Sequence, residues 1–220
     1  QAPIIIQKCY ESVCKHSNQK IILLNDQNLA DYIRLPDYIE KKKDAGQIPM
    51  AGYADLMRFA LLEHYGGTWI DSTVYLTEPL PDTILNSDFF AVRNSLLLID
   101  NPVLYPAWFL HAKKGNKTIR EIRNVAFSYW LKNEHVIEYL LPNLIITLVV
   151  KSNPKVEKAI PYMNSDYSEY LVKVLADDYS EEKWNWIKKL TGIHKLTYKL
   201  SPDIEAEDTF YKALIENSIE

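Results

Sequence analysis

Cysteine is nearly absent: two occur in 220 residues, Cys9 and Cys14. On a helix this spacing turns the two side chains about 140° apart around the axis, so a disulfide between them is not expected. Too few thiolates remain for a structural zinc site, and the usage suits a reducing compartment. Glycine is also scarce, at six. Neither GxGxxG nor GxxxxGK[ST] occurs, which argues against a dinucleotide fingerprint or a P-loop. No sign of charge dominates either. A net charge of −4 leaves no basic footprint for nucleic acid. The most apolar run, LLPNLIITLVV at 140–150, is too short to cross a bilayer and carries Pro142. The opening QAPIIIQKCYESVCKH lacks a charged segment followed by a long apolar run, so it does not read as a secretory signal.

What is present is the balance of a folded domain. Hydrophobic residues make up 47% and charged residues 25%, ordinary globular proportions, and the length suffices to bury a core. Residues 1–220 are expected to form a single domain, α/β over 1–100 and mainly helical over 101–220. Periodicity predicts a helix over 4–17, a buried strand at KIILLND (20–26), and short helices over 28–34 and 37–44 around Pro36. A strong helix over 50–65 is closed by the pair Gly66-Gly67. Strands follow at TWID (68–71), VYLT (74–77), DFFAVR (88–93) and SLLLID (95–100). This alternation predicts an α/β sheet with helices on its faces. Further helices are expected over 117–133, 137–150, 167–176, 181–190 and 206–217. The basic clusters Lys41–Lys43 and Lys113–Arg123 read first as solvated helix faces.

Chemistry concentrates in ADLMRFALLEHYGGTWIDST, residues 54–73. On the helix over 50–65, Met50, Ala54, Met57 and Leu61 predict the buried stripe, and Asp55 and Arg58 share the neighbouring face at i and i+3. An exposed helical pair of this kind is worth only about 0.2–0.5 kcal/mol. The next strand, however, runs to its carboxyl end at Asp71, and in open α/β sheets ligands bind outside such ends.

Extended to Leu80, this stretch resembles the DxD-containing sugar transferases, whose signature reads roughly S/A-D-x-x-R-x-x-x-L-x-x-x-G-G-x-x-x-D-x-D. It is similar above all to the bacterial capsular polysaccharide synthesis proteins and, more distantly, to the catalytic domain of the clostridial glucosylating toxins. Asp55, Arg58, Gly66, Gly67 and Asp71 fall in register, and GIHKLTYK (192–199) resembles the late motif of the capsular group. The resemblance implies a GT-A-like nucleotide-sugar-binding sheet flanked by helices, a divalent cation (Mn²⁺ or Mg²⁺), and retaining hexose transfer. The donor implied is a UDP-hexose, and the acceptor a lipid-linked or free glycan of the capsule or cell surface. The setting would be cytoplasmic, at the inner face of the membrane. It makes Asp55, Arg58 and Asp71 catalytic. It adds Gly67, Ser72, Lys195 and Lys199 to the donor site, and gives the metal Asp71 and His194. The chemistry is intelligible, because a departing nucleoside diphosphate builds negative charge that nearby cations stabilise. One unit pair at 4 Å is worth roughly 4 kcal/mol at an effective dielectric of 20, before desolvation.

The family's second aspartate is Thr73 here. Three readings stay open: Asp71 ligates the metal with His194, the donor phosphates supply most of the metal's shell, or the site is catalytically degenerate. The last would leave a nucleotide-sugar or glycan-binding module. Trp69 and Tyr75 read as core aromatics rather than sugar platforms. Family members usually open with an Ile-Pro-Lys-like strand, and QAPIIIQKC begins just after it, so either the natural chain is longer than this piece or that strand is missing. The stretch IREIRNVAFSYWL (119–131) could rest on anionic lipid, although a core-facing amphipathic helix is the ordinary explanation.

Overall fold

A computed structural model describes residues 2–95, 101–200, 204 and 208–216. The chain begins with α1 (Ile4–His16), α2 (Leu29–Tyr32), α3 (Asp37–Asp44) and α4 (Met50–Tyr65), then runs through β1 (Gly67–Ile70) and β2 (Val74–Leu76). There follow α5 (Asp82–Leu85), β3 (Phe89–Ala91), β4 (Phe109–Ala112), α6 (Lys117–Lys132), α7 (Leu141–Lys151) and α8 (Pro154–Ala159). Last come α9 (Ser165–Ser168), α10 (Tyr170–Lys173), α11 (Glu181–Leu190), β5 (Ile193–Lys195) and α12 (Phe210–Ile215). These segments form two units. A central unit takes Leu23–Ile70 and Asp82–Met163, and a terminal unit takes Gln1–Ile22, Asp71–Pro81 and Asn164–Glu220.

In the central unit the antiparallel order is β1-β4-β3, with Thr68 opposite His111, Ile70 opposite Phe109 and Ala91 opposite Leu110. The helix α3 opens after Pro36 with Asp37 and Glu40 in its first turn and closes on Lys41–Lys43, so its charges oppose the helix dipole at both ends. The start of α6 is fixed by Asn116, whose side chain accepts from Thr118 N and Ile119 N. Leu56, Phe59 and Leu62 of α4 meet Ile119, Ile122, Ala126 and Trp130 of α6 and Ile146 and Val150 of α7 in one core. The apolar face of α6 is thereby buried inside the unit, as the ordinary reading of that helix had it.

In the terminal unit β2 and β5 pair antiparallel, with Val74 opposite Lys195, Tyr75 opposite His194 and Leu76 opposite Ile193. The inward side of α1, Ile5 and Cys9 at i and i+4, packs with Leu171, Leu175, Trp184, Ile187, Phe210 and Leu214. Ser12 Oγ donates to Cys9 O (2.7 Å) and accepts from Leu76 N (2.9 Å), so a helix hydroxyl satisfies a strand N–H. Both cysteines are free thiols, and burial pushes the Cys9 thiol up to about 12.

Several expectations change. KIILLND is not a strand: residues 20–25 carry no ladder, and Ile22 and Leu23 are exposed. Apolar content alone does not make a strand without a partner edge. The stripe of α4 is rotated from the predicted one, with Met50 exposed and Tyr53, Leu56, Phe59, Ala60 and Leu62 in the core. The sequence Phe59–Leu62 is buried on every side, and a helix apolar all round does not announce one face. The helix expected from 137 starts at Leu141, because Pro142 is tolerated only in a first turn. The helix expected over 167–176 is two short ones, α9 and α10. Both sheets among the described residues are small and antiparallel. The strand-end rule for open α/β sheets therefore does not locate the site. Of the strand expected at 95–100, residues 96–100 lie outside the described residues.

Candidate functional site

The motif residues fall into two groups, one in each unit. In the central unit Asp55 and Arg58 share a face of α4, and Arg58 Nη1 lies 2.9 Å from Asp55 Oδ1. Their side chains are only 17% and 8% exposed. Arg58 Nη1 also donates to Ala107 O at 2.6 Å, and the guanidinium lies 5.0 Å from the Trp69 ring centroid. This is no solvated helix pair. A guanidinium taken out of water is tolerable when a carboxylate, a carbonyl and a ring face replace its hydration. Nothing in the motif points to the Ala107 carbonyl, since a backbone acceptor has no residue type. Gly67, on the same unit, is exposed at the start of β1.

The second group is built by the turn between β1 and β2. Asp71 O accepts from Val74 N at 3.0 Å, which makes Asp71 the first residue of a β-turn with exposed Ser72 at its tip. The Asp71 side chain is 26% exposed, and Lys195 Nζ approaches its Oδ2 at 4.0 Å. The same ammonium donates to Thr73 Oγ1. Leu196 N donates to Thr73 O at 2.8 Å, continuing the β2–β5 pairing and fixing Lys195 beside the turn. Lys199 is exposed in the loop beyond. Glu169 lies within electrostatic reach of Lys195; burial raises its carboxyl above the usual range, and Lys173 and Lys195 offset part of that rise.

His194 is fully buried. Its Nε2 meets Thr77 Oγ1 at 3.2 Å, and its ring lies 6.3 Å from that of Trp184. Burial depresses its pKa to about 4, so the imidazole is neutral at pH 7. Nδ1 is buried without a hydrogen-bond partner among the described residues. Alternation along β5 sends His194 and Lys195 to opposite faces, so the imidazole is on the face away from the one Lys195 uses to reach Asp71.

A divalent ion needs several oxygen ligands or imidazoles converging at about 2.0–2.6 Å. Among the described residues no three His, Cys, Asp or Glu side chains converge in this way. Asp71 faces an ammonium, and Thr73 offers a hydroxyl that already accepts from the same ammonium. These residues do not fit a cation cage built by the protein itself.

The central unit also holds a groove of about 610 Å³ lined by residues including Arg34, Leu35, Pro36, Lys114 and Phe127. Within it one carboxylate, Glu63, pairs with both Arg120 (2.8 Å) and Arg123 (3.0 Å) of the basic run at 113–123. Among the described residues no helix is long and apolar enough to cross a membrane.

Comparison with curated proteins gives no match. Among solved structures the chain is similar to "PaToxG Glycosyltransferase", at 10% identity and a TM-score of 0.47, over 99% of this chain and 82% of that one. The model of the capsular polysaccharide synthesis protein family matches residues 1–214, a span holding both groups of motif residues, and the chain belongs to that family.

Proposed function

We propose that the chain is a retaining glycosyltransferase. It moves a hexose from a UDP-linked donor to a lipid-linked oligosaccharide of the capsule or cell surface, on a GT-A-like fold in the cytoplasm. The observation that carries this reading is the Asp55–Arg58 pair: two motif residues held together at low exposure, with Arg58 tied to Ala107 O. Asp55 is the more exposed member and would accept hydrogen bonds from sugar hydroxyls, which a carboxylate holds more strongly than a neutral acceptor does. Arg58 would act as a positioning residue, keeping Asp55 in one rotamer and its charge balanced.

In the reaction the bond between the anomeric carbon and the diphosphate oxygen breaks, and its electron pair leaves with the diphosphate. The acceptor hydroxyl oxygen bonds to the same face of that carbon, and its proton passes to the departing diphosphate. Taken by itself, the terminal unit offers Lys195 and Lys199, cations suited to a diphosphate's charge, and exposed Ser72 at the turn tip, a hydroxyl suited to a phosphate oxygen. The test is binding and turnover by the purified chain across a panel of UDP-sugars. One UDP-hexose should bind and release UDP, faster when an acceptor glycan is added. A panel on which nothing binds would remove the proposal.

One observation supports a second reading, a binding module that has lost transfer: Thr73 stands where the family pattern carries its second acid. Calorimetric binding of a donor, with no UDP released on long incubation, would favour that reading.

A further inference from the structure

We infer that the Lys195 ammonium is the site's own cation, standing where the motif would hold a divalent ion, so that diphosphate binding needs no added metal. The inference rests on the reading of this turn as the donor-diphosphate site. Position supports it first. Lys195 lies opposite Val74 in the β2–β5 register, and the Leu196 N to Thr73 O bond pins its backbone to the turn. Its Nζ contacts both odd positions of the motif at once, donating to Thr73 Oγ1 and lying 4.0 Å from Asp71 Oδ2. A bridging ion would make those two contacts between a pair of carboxylates.

Charge supports it second. Two carboxylates and a divalent ion sum to zero; one carboxylate, one hydroxyl and one ammonium also sum to zero. Replacing aspartate by Thr73 removes a negative charge, and a monovalent cation restores the balance. A divalent ion added beside this ammonium would meet like charge with one carboxylate fewer to hold it. Glu169 also feels Lys195: burial raises its carboxyl, and of the two lysines that lower it Lys173 acts more strongly than Lys195.

Accessibility supports it third. Thr73 is 6% exposed, whereas the Lys195 side chain is 24% exposed. The buried hydroxyl anchors the ammonium, and the Lys195 side chain reaches the surface beside the turn.

The experiment measures UDP affinity of the full chain by calorimetry, first in excess EDTA and then with Mn²⁺ restored. Affinity is expected to agree within about twofold between the two conditions, a difference well under the tenfold worth of 1.4 kcal/mol. Lys195→Met is expected to weaken UDP binding by about tenfold or more, the worth of one charge-assisted hydrogen bond, and Mn²⁺ should not restore it. Lys195→Arg should retain most of the affinity. The double variant Thr73→Asp with Lys195→Met rebuilds two acids and removes the ammonium, so it should bind UDP only with Mn²⁺. If UDP binding by the unaltered chain is lost in EDTA and regained with Mn²⁺, the inference is overturned while the transferase reading stands. That arm needs no variant to fold. Absence of UDP binding in every condition would overturn both.

Discussion

Arg58 shows how far one residue's setting can depart from its sequence context. Its i, i+3 spacing from Asp55 is legible in the chain, and so is its place in the motif. Its burial is not, because Ala107 and Trp69 reach it through the tertiary fold. Arg58→Ala would remove the guanidinium beside Asp55 at a site of low exposure, a change that costs about 3–5 kcal/mol in buried pairs. Urea unfolding should show that loss together with lost activity. Asp71→Asn differs, since Asp71 sits in an exposed turn and meets Lys195 at 4.0 Å. It should abolish transfer while shifting stability by under about 1 kcal/mol, the median worth of such a pair. A variant with near-normal turnover would contradict the catalytic role that the family motif implies for Asp71. His194 supplies a pH signature. Its folded pKa of about 4 lies below the unfolded value of 6.5, so the unfolded chain binds the extra proton. Stability from this group is full above pH 6.5 and is lost as pH falls toward 4, by up to about 3 kcal/mol. Urea midpoints from pH 7 to 5 should fall in the native chain and fall less in His194→Gln.

At the scale of elements, punctuation was more readable than partnership. The stop of α4 at Gly66 was legible and holds for two reasons. Gly66 has φ +73°, and a Cβ there would lie 2.5 Å from Lys114 N. Gly66→Ala should therefore destabilise by about 2 kcal/mol or more, since backbone conformation and close contact both oppose it. Thermal unfolding measures this, and a change under about 0.5 kcal/mol would be inconsistent with the close approach. The helices α1, α3, α6 and α11 fall within a residue of the bounds that apolar spacing predicted. The strand β5 was read only as a motif, GIHKLTYK, because three residues between polar neighbours carry too short a period to show alternation. The Lys195–Thr73 contact depends on the register of that strand with β2. It could not be found before the pairing was known.

At the scale of the molecule, the two cores draw on different stretches of chain. All the central core residues, from Leu35 to Val150, lie within residues 23–163. The terminal core joins Ile5 and Cys9 of α1 to Trp184, Phe210 and Leu214 from the far end of the chain. A chain ended at Met163 should keep slow amide exchange in α4, α6 and α7 and lose it in α1 and β2. Protection of α1 in the shortened chain would mean that its partners lie elsewhere. The mixed α/β character was legible from the alternation of helix and strand signals; the antiparallel pairing was not, since direction is set by which distant strands meet.

The wide separation of α1 from Phe210 and Leu214 also bears on how the protein is made. At about 5–20 residues per second, a ribosome finishes α1 roughly 10–40 s before it supplies the last of that helix's partners. Throughout that interval Ile5 and Cys9 have no core to enter, while the central segments can already collapse on one another. The nascent chain therefore offers holdase chaperones a greasy helix, and translation that stalls before α11 would yield a protein in which α1 never docks.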